Sequence, residues 1–189
     1  MATLTGTPAR TATRTIPIGA AILALGCIAL AYIDFFVTTS DGTYAYTADY
    51  VYTLDMYPLL AGLGLVVAGI CARQGGSGRT GAIIVGVGLL GLAVDGIGSV
   101  VGRNDQTLGP LYPIATLITF VGMVVFTVAS LRARVLPWWT TPALTLGWIV
   151  GGVVGDSGPL GFKASALLLA AAGIAIASAA NRHRATEAA

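Results

Sequence analysis

Long stretches without a charged side chain are the feature that most constrains this chain. Six runs of mostly apolar residues contain at most one ionisable group each, and they cover residues 17–36, 58–72, 81–101, 111–131, 137–155 and 159–180. A helix needs about 20 mostly apolar residues to cross the hydrocarbon core of a bilayer, and most of these runs are near that length. The pattern predicts an all-α fold, a polytopic transmembrane helical bundle of six spans.

The scarcity of charge excludes several other classes of protein. Charged residues make up 10% of the 189 residues, whereas soluble domains contain about 25%. That is too few to coat a water-facing surface, which argues against an ordinary soluble enzyme and against a disordered chain. The net charge is only +2 and the basic residues are scattered, so no nucleic-acid partner is expected.

The basic residues predict an orientation. Eight of them lie before span one, between spans two and three, between spans four and five, or after span six: Arg10, Arg14, Arg73, Arg79, Arg132, Arg134, Arg182 and Arg184. The opposite side has only Arg103 and Lys163. Because cytoplasmic loops carry the excess of Lys and Arg, both termini are expected in the cytoplasm.

This orientation divides the chain into a cytoplasmic tail over 1–15, a membrane domain over 16–181 and a second cytoplasmic tail over 182–189. An alternative is five spans behind a cleaved signal sequence, because Ala29-Leu30-Ala31 resembles a cleavage site. The abundance of Ala, Gly and Arg indicates a bacterial cytoplasmic membrane as the location.

The loop between spans one and two is the only sizeable outer loop. It contains Asp41-Gly42, a turn-forming pair, and a series of tyrosines in two-residue alternation, Tyr44, Tyr46, Tyr50 and Tyr52. Alternation of this kind is typical of strands. The loop is therefore predicted to form a short β-hairpin-like structure with its tyrosines at headgroup depth.

Spans two and four begin in the same way. Tyr57-Pro58 opens one and Tyr112-Pro113 opens the other. Spans two–three and four–five can therefore be interpreted as repeats of one helical hairpin, as found in some transporters. The alternative is that no duplication exists, since proline starts many helices and tyrosine populates membrane interfaces.

Small residues recur along single helix faces. In span five, and in span three when Asp95 is counted in the series, the positions are three or four residues apart, with glycines at Gly88, Gly91, Gly98, Gly102, Gly147, Gly151 and Gly155. Small residues let the backbones of membrane helices approach closely. The stripes predict close helix packing, but they leave open whether the partner helix belongs to this chain or to another.

The stripes also place two carboxyl groups. Asp34 and Asp95 share faces with small residues, so both are expected to point into the bundle. An isolated ionised aspartate in a membrane costs several kcal/mol, so Asp95 should be paired, hydrated or protonated. Lys163 and Arg103 are the candidate partners, and they lie with Asp156 near the outer side.

The clustering predicts an outward-opening polar pocket formed by Asp34, Asp95 and Lys163, with Arg103 and Asp156 above it. The alternative is a buried ion pair that fixes helix register and binds nothing. On the pocket hypothesis, the protein binds or passes a small solute, a lipid-like ligand or protons. The competing hypothesis is a non-catalytic accessory subunit that docks on another membrane protein through its Gly and Ala faces.

Catalytic and cofactor sites find little support. Ser157 lies in a Gly-Asp-Ser-Gly sequence, but the single histidine, His183, is expected across the membrane from it. A Ser157–Lys163 pair is conceivable, so an enzymatic role is disfavoured and not dismissed. One histidine and two separated cysteines cannot build a zinc site, and no metal or cofactor is predicted. The expected partners are the lipid bilayer and either a second copy of the chain or a larger membrane complex.

Overall fold

The computed structural model describes residues 8–37, 43–74, 78–134, 136–151 and 166–179. Within these ranges the chain forms six helices: α1 (Pro8–Phe36), α2 (Thr47–Gln74), α3 (Arg79–Gly102), α4 (Leu111–Ala133), α5 (Thr140–Ile149) and α6 (Ala166–Ala179). The described ranges contain no strand longer than an isolated bridge between Thr43 and Asn104. The all-α prediction is confirmed for this part of the chain.

Four helices are long and apolar enough to cross a membrane. They are α2, α3, α4 and the part of α1 from Thr15 to Ile33, with mean hydropathies of 1.8 to 2.3. The described lengths of α5 and α6 are shorter. The fold is therefore a helical bundle of the membrane type.

Two of the predicted spans begin inside longer helices. Pro17 and Pro58, the first residues predicted for spans one and two, lie inside α1 and α2. Proline removes one backbone donor and disturbs one turn, so a helix that is stabilised on both sides of it can continue. For α3 and α4 the predicted starts, at 81 and 111, lie within two residues of the observed ones.

The predicted hairpin between spans one and two is replaced by the first turns of α2. Tyr50 and Tyr52 are helical, and the backbone N–H of Tyr46 donates to Asp49 Oδ2 at 2.7 Å. That bond satisfies a free donor at the helix start, and an acidic residue in the first turn also suits the helix dipole. The Asp41-Gly42 pair lies outside the described residues.

Two ends of the bundle can be distinguished. The end where α2 begins and α3 ends has Tyr44, Tyr46 and Tyr50 beside it, and we call it the tyrosine end. The end where α2 ends and α3 begins has Arg73 and Arg79, and we call it the arginine end. At the tyrosine end the Tyr44 N–H donates to the Arg103 carbonyl at 3.3 Å, which connects the segment before α2 to the end of α3.

The first helix pair, α1 with α2, packs backbone against backbone. A Cβ placed on Gly62 would lie 2.7 Å from the Leu23 Cα, and one on Gly26 would lie 3.1 Å from the Leu59 nitrogen. The contacts run in opposite sequence order along the two helices, so α1 and α2 are antiparallel. The glycines are required for this close approach.

The second pair, α3 with α4, repeats this arrangement. A Cβ on Gly81 would lie 2.6 Å from the Phe126 nitrogen, and one on Gly122 would lie 2.6 Å from the Val85 nitrogen. Contacts between α2 and α3 are far sparser than those within either pair. The closely packed hairpins are therefore α1–α2 and α3–α4, which differ from the hairpins of spans two–three and four–five in the repeat hypothesis.

Hydroxyl groups connect the second pair to its neighbours. Thr127 of α4 and Thr145 of α5 share a hydrogen bond of 2.7 Å, and the Trp148 indole N–H donates to the Thr116 carbonyl at 3.4 Å. Near the arginine end, Gln74 Nε2 donates to Ser130 Oγ. Buried polar side chains in a membrane bundle need partners of this kind, so these bonds position α5 and the end of α2 against α4.

Candidate functional site

Two carboxyl groups lie at similar depth near the tyrosine end. Asp55 is seven residues before Gly62 in α2, and Asp95 is seven residues after Gly88 in α3. With a helical rise of about 1.5 Å per residue, each carboxyl lies about 10–12 Å from the tyrosine end of its helix. A spacing of seven keeps residues on one side of a packed helix, so each aspartate continues a glycine stripe.

Asp95 is buried without a full set of hydrogen bonds. The residue is 6% exposed, and its Oδ1 atom has no hydrogen-bond partner in the described part of the chain. Because Gly91 meets Ala115 of α4, the helix register places Tyr112, one turn before Ala115, opposite Asp95. An ionised carboxylate in a membrane costs about 3 kcal/mol at the centre of a helix span, so this environment disfavours a permanent charge.

Tyr57 of α2 packs on the turn of α3 that contains Asp95. Its hydroxyl donates to the Ala93 carbonyl at 2.9 Å, and a Cβ on Gly96 would lie 2.9 Å from that hydroxyl oxygen. The absence of a side chain at 96 therefore gives the phenol room to reach the backbone of α3. Ala93 and Gly96 lie on either side of Asp95 in the sequence, so the phenol packs on the turn of α3 that contains Asp95.

Further hydroxyl groups extend from Tyr57 toward the tyrosine end. Thr53 lies one turn before Tyr57 on the same face of α2, and its methyl carbon would be 3.6 Å from a Cβ on Gly96. Thr53 Oγ1 lies 2.6 Å from the Tyr44 hydroxyl, and the Tyr44 ring packs edge-on against Tyr50 at 5.0 Å. Thr53 thus contacts Tyr44 through its hydroxyl group and α3 through its methyl group.

The other predicted pocket residues are not brought together with Asp95 in the described ranges. Arg103 is exposed at the end of α3, where its N–H donates to the Ser99 carbonyl. Asp34 lies in the last turns of α1, and its side chain is outside the described part. Lys163 and Asp156 also lie outside it. Their pairing with Asp95 therefore stays a prediction.

Most of the predicted packing glycines contact other parts of this chain. A Cβ on Gly88 or Gly91 would meet α4, one on Gly147 would meet Leu169 of α6, and those on Gly98 and Gly102 would meet Leu108 and Thr107 of the α3–α4 connection. Gly151 is buried after α5, and Gly155 lies outside the described residues. Among the described residues, the glycines of these stripes thus face helices and loops of the same molecule.

Sequence reasoning omitted two members of this region from the pocket, Asp55 and Tyr57. The Oδ2 atom of Asp55 is buried without a hydrogen-bond partner in the described ranges. The seven-residue spacing from Gly62 and Gly69 was a signal that could have identified Asp55. No comparable signal identifies Tyr57, because its role depends on how α2 packs on α3.

A depression of about 290 Å³ opens between α2 and α3 at the same depth. Its lining is Leu54, Tyr57, Ile97, Val100 and Val101, and Val101 is 79% exposed. Apart from the Tyr57 hydroxyl these side chains are apolar. The depression therefore resembles a lipid-facing groove and differs from the charged pocket that the sequence predicted.

The described residues include no group of three His, Cys, Asp or Glu side chains that could hold a metal ion. No family model, curated protein or solved structure matches the chain. Its class is therefore defined by its own structure, a helical protein of the membrane type in which carboxyl groups are buried near one end of the bundle.

Proposed function

We propose that the chain is a six-span protein of a bacterial cytoplasmic membrane, with both termini in the cytoplasm and the tyrosine end facing outward. The four long apolar helices support membrane insertion. Arg73, Arg79, Arg132 and Arg134 lie at the arginine end, the side that the positive-inside rule assigns to the cytoplasm. In this arrangement α5 and α6 belong to the fifth and sixth spans.

In this protein Asp95 is a reversible proton-binding site in the outer half of the membrane. The observation that supports this role is the 6% exposure of Asp95, together with its Oδ1 atom, which has no hydrogen-bond partner among the described residues. A bound proton neutralises the carboxylate without needing a cavity, and it suits a side chain enclosed at a helix contact. The depression between α2 and α3, whose lining is apolar apart from the Tyr57 hydroxyl, gives no support for a polar solute among the described residues.

Infrared difference spectroscopy tests this role directly. The protein is reconstituted in lipid nanodiscs, and the carboxyl C=O absorption is followed as the pH changes. We expect a band from a buried carboxylic acid that is lost in Asp95→Asn. The matched control is Asp105→Asn, because Asp105 is an exposed aspartate in the α3–α4 connection.

A folded Asp95→Asn variant with the same carboxyl band as the unmodified protein would contradict the proposal. Retention of α-helical circular dichroism and of a single size-exclusion peak establishes that the variant is folded. Loss of the band in Asp105→Asn alone would assign the signal to the exposed loop and would also contradict it.

The accessory-subunit hypothesis receives less support from the packing. That hypothesis needs a small-residue face that is open to a partner protein. Gly62, Gly88 and Gly147 instead meet helices of this chain, and Ala20, Ala24 and Cys27 of α1 are buried within it.

A further inference from the structure

We propose that the arginine end of the bundle binds the phosphate group of an anionic phospholipid, at the place where the end of α2 meets the end of α4. This binding site rests on the proposed membrane insertion and is independent of the proton-binding role of Asp95. It lies at the opposite end of the bundle from that carboxyl group.

The charged residues of the described ranges are divided between the two ends of the bundle. The acidic residues in these ranges all lie in the half nearer the tyrosine end, at Asp34, Asp49, Asp55, Asp95 and Asp105. The arginine end has one half-buried and three exposed arginines, Arg73, Arg79, Arg132 and Arg134. Within the described ranges no carboxylate at this end neutralises them, so their mutual repulsion favours a bound anion.

A hydrogen bond between two helices brings arginines of α2 and α4 to the same place. Gln74 Nε2 donates to Ser130 Oγ, and both residues are buried. Arg73 directly precedes Gln74, and the backbone N–H of Arg134 donates to the Ser130 carbonyl at 3.0 Å. The bond therefore joins two helix ends that each have an arginine next to it.

The other two arginines lie close to the same level of the bundle. Arg132 follows Ser130 by two residues, and Arg79 is the first residue of α3. Gly81, in the same turn as Arg79, packs on the backbone of Phe126. Because α3 and α4 are antiparallel, the levels of Arg79 and Arg132 differ by about 6 Å along the bundle axis. The guanidinium groups thus belong to one surface, and such groups bind phosphate through paired hydrogen bonds.

The surroundings of this surface favour a lipid phosphate over a free phosphate. Trp138 and Trp139, just before α5, are both exposed, and exposed tryptophans in membrane proteins lie at headgroup depth. Val128 and Leu131 of α4 are exposed within one turn before Arg132, so an apolar surface continues from the arginines toward the middle of the membrane. A phosphate at the arginines would therefore have its acyl chains beside these apolar side chains.

Native mass spectrometry of the protein in detergent tests this site. The protein is titrated with phosphatidylglycerol and with phosphatidylcholine that have identical acyl chains. We expect Arg73→Gln and Arg134→Gln each to weaken phosphatidylglycerol binding about fivefold and to leave phosphatidylcholine binding unchanged. The matched control is Arg103→Gln, because Arg103 is an exposed arginine that ends α3 at the tyrosine end in the same left-handed conformation as Arg134.

A second variant tests the geometry at constant charge. Ser130→Ala removes the hydroxyl that accepts the Gln74 hydrogen bond and keeps every arginine. We expect phosphatidylglycerol binding to weaken about threefold or more, whereas a diffuse positive field would leave it unchanged. Ser178→Ala of α6 is the control, because Ser178 is exposed and its hydroxyl, like that of Ser130, donates to the carbonyl four residues earlier at 2.8 Å.

Each outcome supports or overturns the site. Equal affinity of the unmodified protein for the two lipids overturns it, and so does an equal loss in Arg103→Gln. Unchanged binding in Ser130→Ala would replace the site with a diffuse field, and if that variant does not fold, the arginine variants decide. Displacement of the lipid by an equal concentration of soluble glycerol phosphate would overturn the lipid as the ligand. All these results leave the infrared test of Asp95 unaffected, so the two proposals can fail separately.

Discussion

The two closely packed helix pairs have the same construction but different carboxyl environments. In each pair glycines seven residues apart allow backbone contact, and a carboxyl group lies one further interval toward the tyrosine end, Asp55 beyond Gly62 and Asp95 beyond Gly88. Asp95 is buried on the turn of α3 against which Tyr57 packs, whereas Asp55 is only half-buried. The shared seven-residue spacing therefore brings a carboxyl group to a similar level in each helix pair. The side chains around each carboxyl group determine what it can do.

The largest expected effects concern the glycines that both pairs share. Gly62→Ala in the first pair and Gly88→Ala in the second should each lower the free energy of unfolding by about 2–3 kcal/mol, because the new methyl group would press on backbone atoms. Reversible unfolding in mixed detergent micelles measures this. Gly86→Ala is the control on α3, since a Cβ there has open space and should cost nothing. A large loss in only one pair would show that the two pairs are not equivalent.

The next prediction separates the two carboxyl groups. Asp95→Asn should remove most of the buried carboxyl band in the infrared titration, and Asp55→Asn should remove a minor part, because Asp55 is the more exposed of the two. Both variants should stay within about 1 kcal/mol of the unmodified protein in unfolding free energy, since an amide resembles an uncharged carboxyl group in shape and hydrogen bonding. Equal losses of band intensity would mean that the two helix pairs hold equivalent proton sites.

A smaller effect is expected at the contact between the pairs. Gly96→Ala should displace the Tyr57 hydroxyl and weaken its bond to the Ala93 carbonyl, at a cost of about 1 kcal/mol in unfolding free energy. The same variant should change the ultraviolet resonance Raman signal of the tyrosines. Gly64→Ala serves as the control, because a Cβ there meets Leu89 at an ordinary 3.7 Å. An unchanged tyrosine signal in Gly96→Ala would contradict the assigned position of Tyr57.

An effect of similar size but opposite sign is expected at the two ends of the second pair. Arg103 and Arg134 end α3 and α4 in the left-handed region, with φ of 55° and 51°, where a side chain is unfavourable. Replacing either with glycine should raise the unfolding free energy by about 1 kcal/mol. Detergent unfolding measures this as well. A loss of stability would instead show that the arginine side chains make contacts that outweigh the backbone strain.

The sequence predicted helices best where apolar segments are bounded by charge or by turn residues. The limits of α3 and α4 follow closely from this rule. The start of α2 was missed because its first turns are polar and tyrosine-rich, so hydropathy placed them in a loop. The capping bond of Asp49 depends on a short local pattern that a hydropathy profile does not register.

For the candidate site, the sequence identified the burial of Asp95 but not its surroundings. The glycine face of span three indicates which side of the helix the carboxyl occupies, and that is a local property. The contacts with Tyr57 and Gly96 depend on the vertical alignment of α2 and α3, which no local pattern specifies. The expected partner Lys163 lies outside the described residues, so that prediction is still open.

The seven-residue interval between glycines also limits how the bundle can change shape. If one helix of a pair slid by a single turn, bulky side chains would replace glycine against the opposing backbone, and the contact could not form. Each pair should therefore behave as a stiff unit. The internal motion that costs least free energy is then the sliding of one helix pair past the other. It would occur at the contact between α2 and α3, where the Tyr57–Ala93 bond lies.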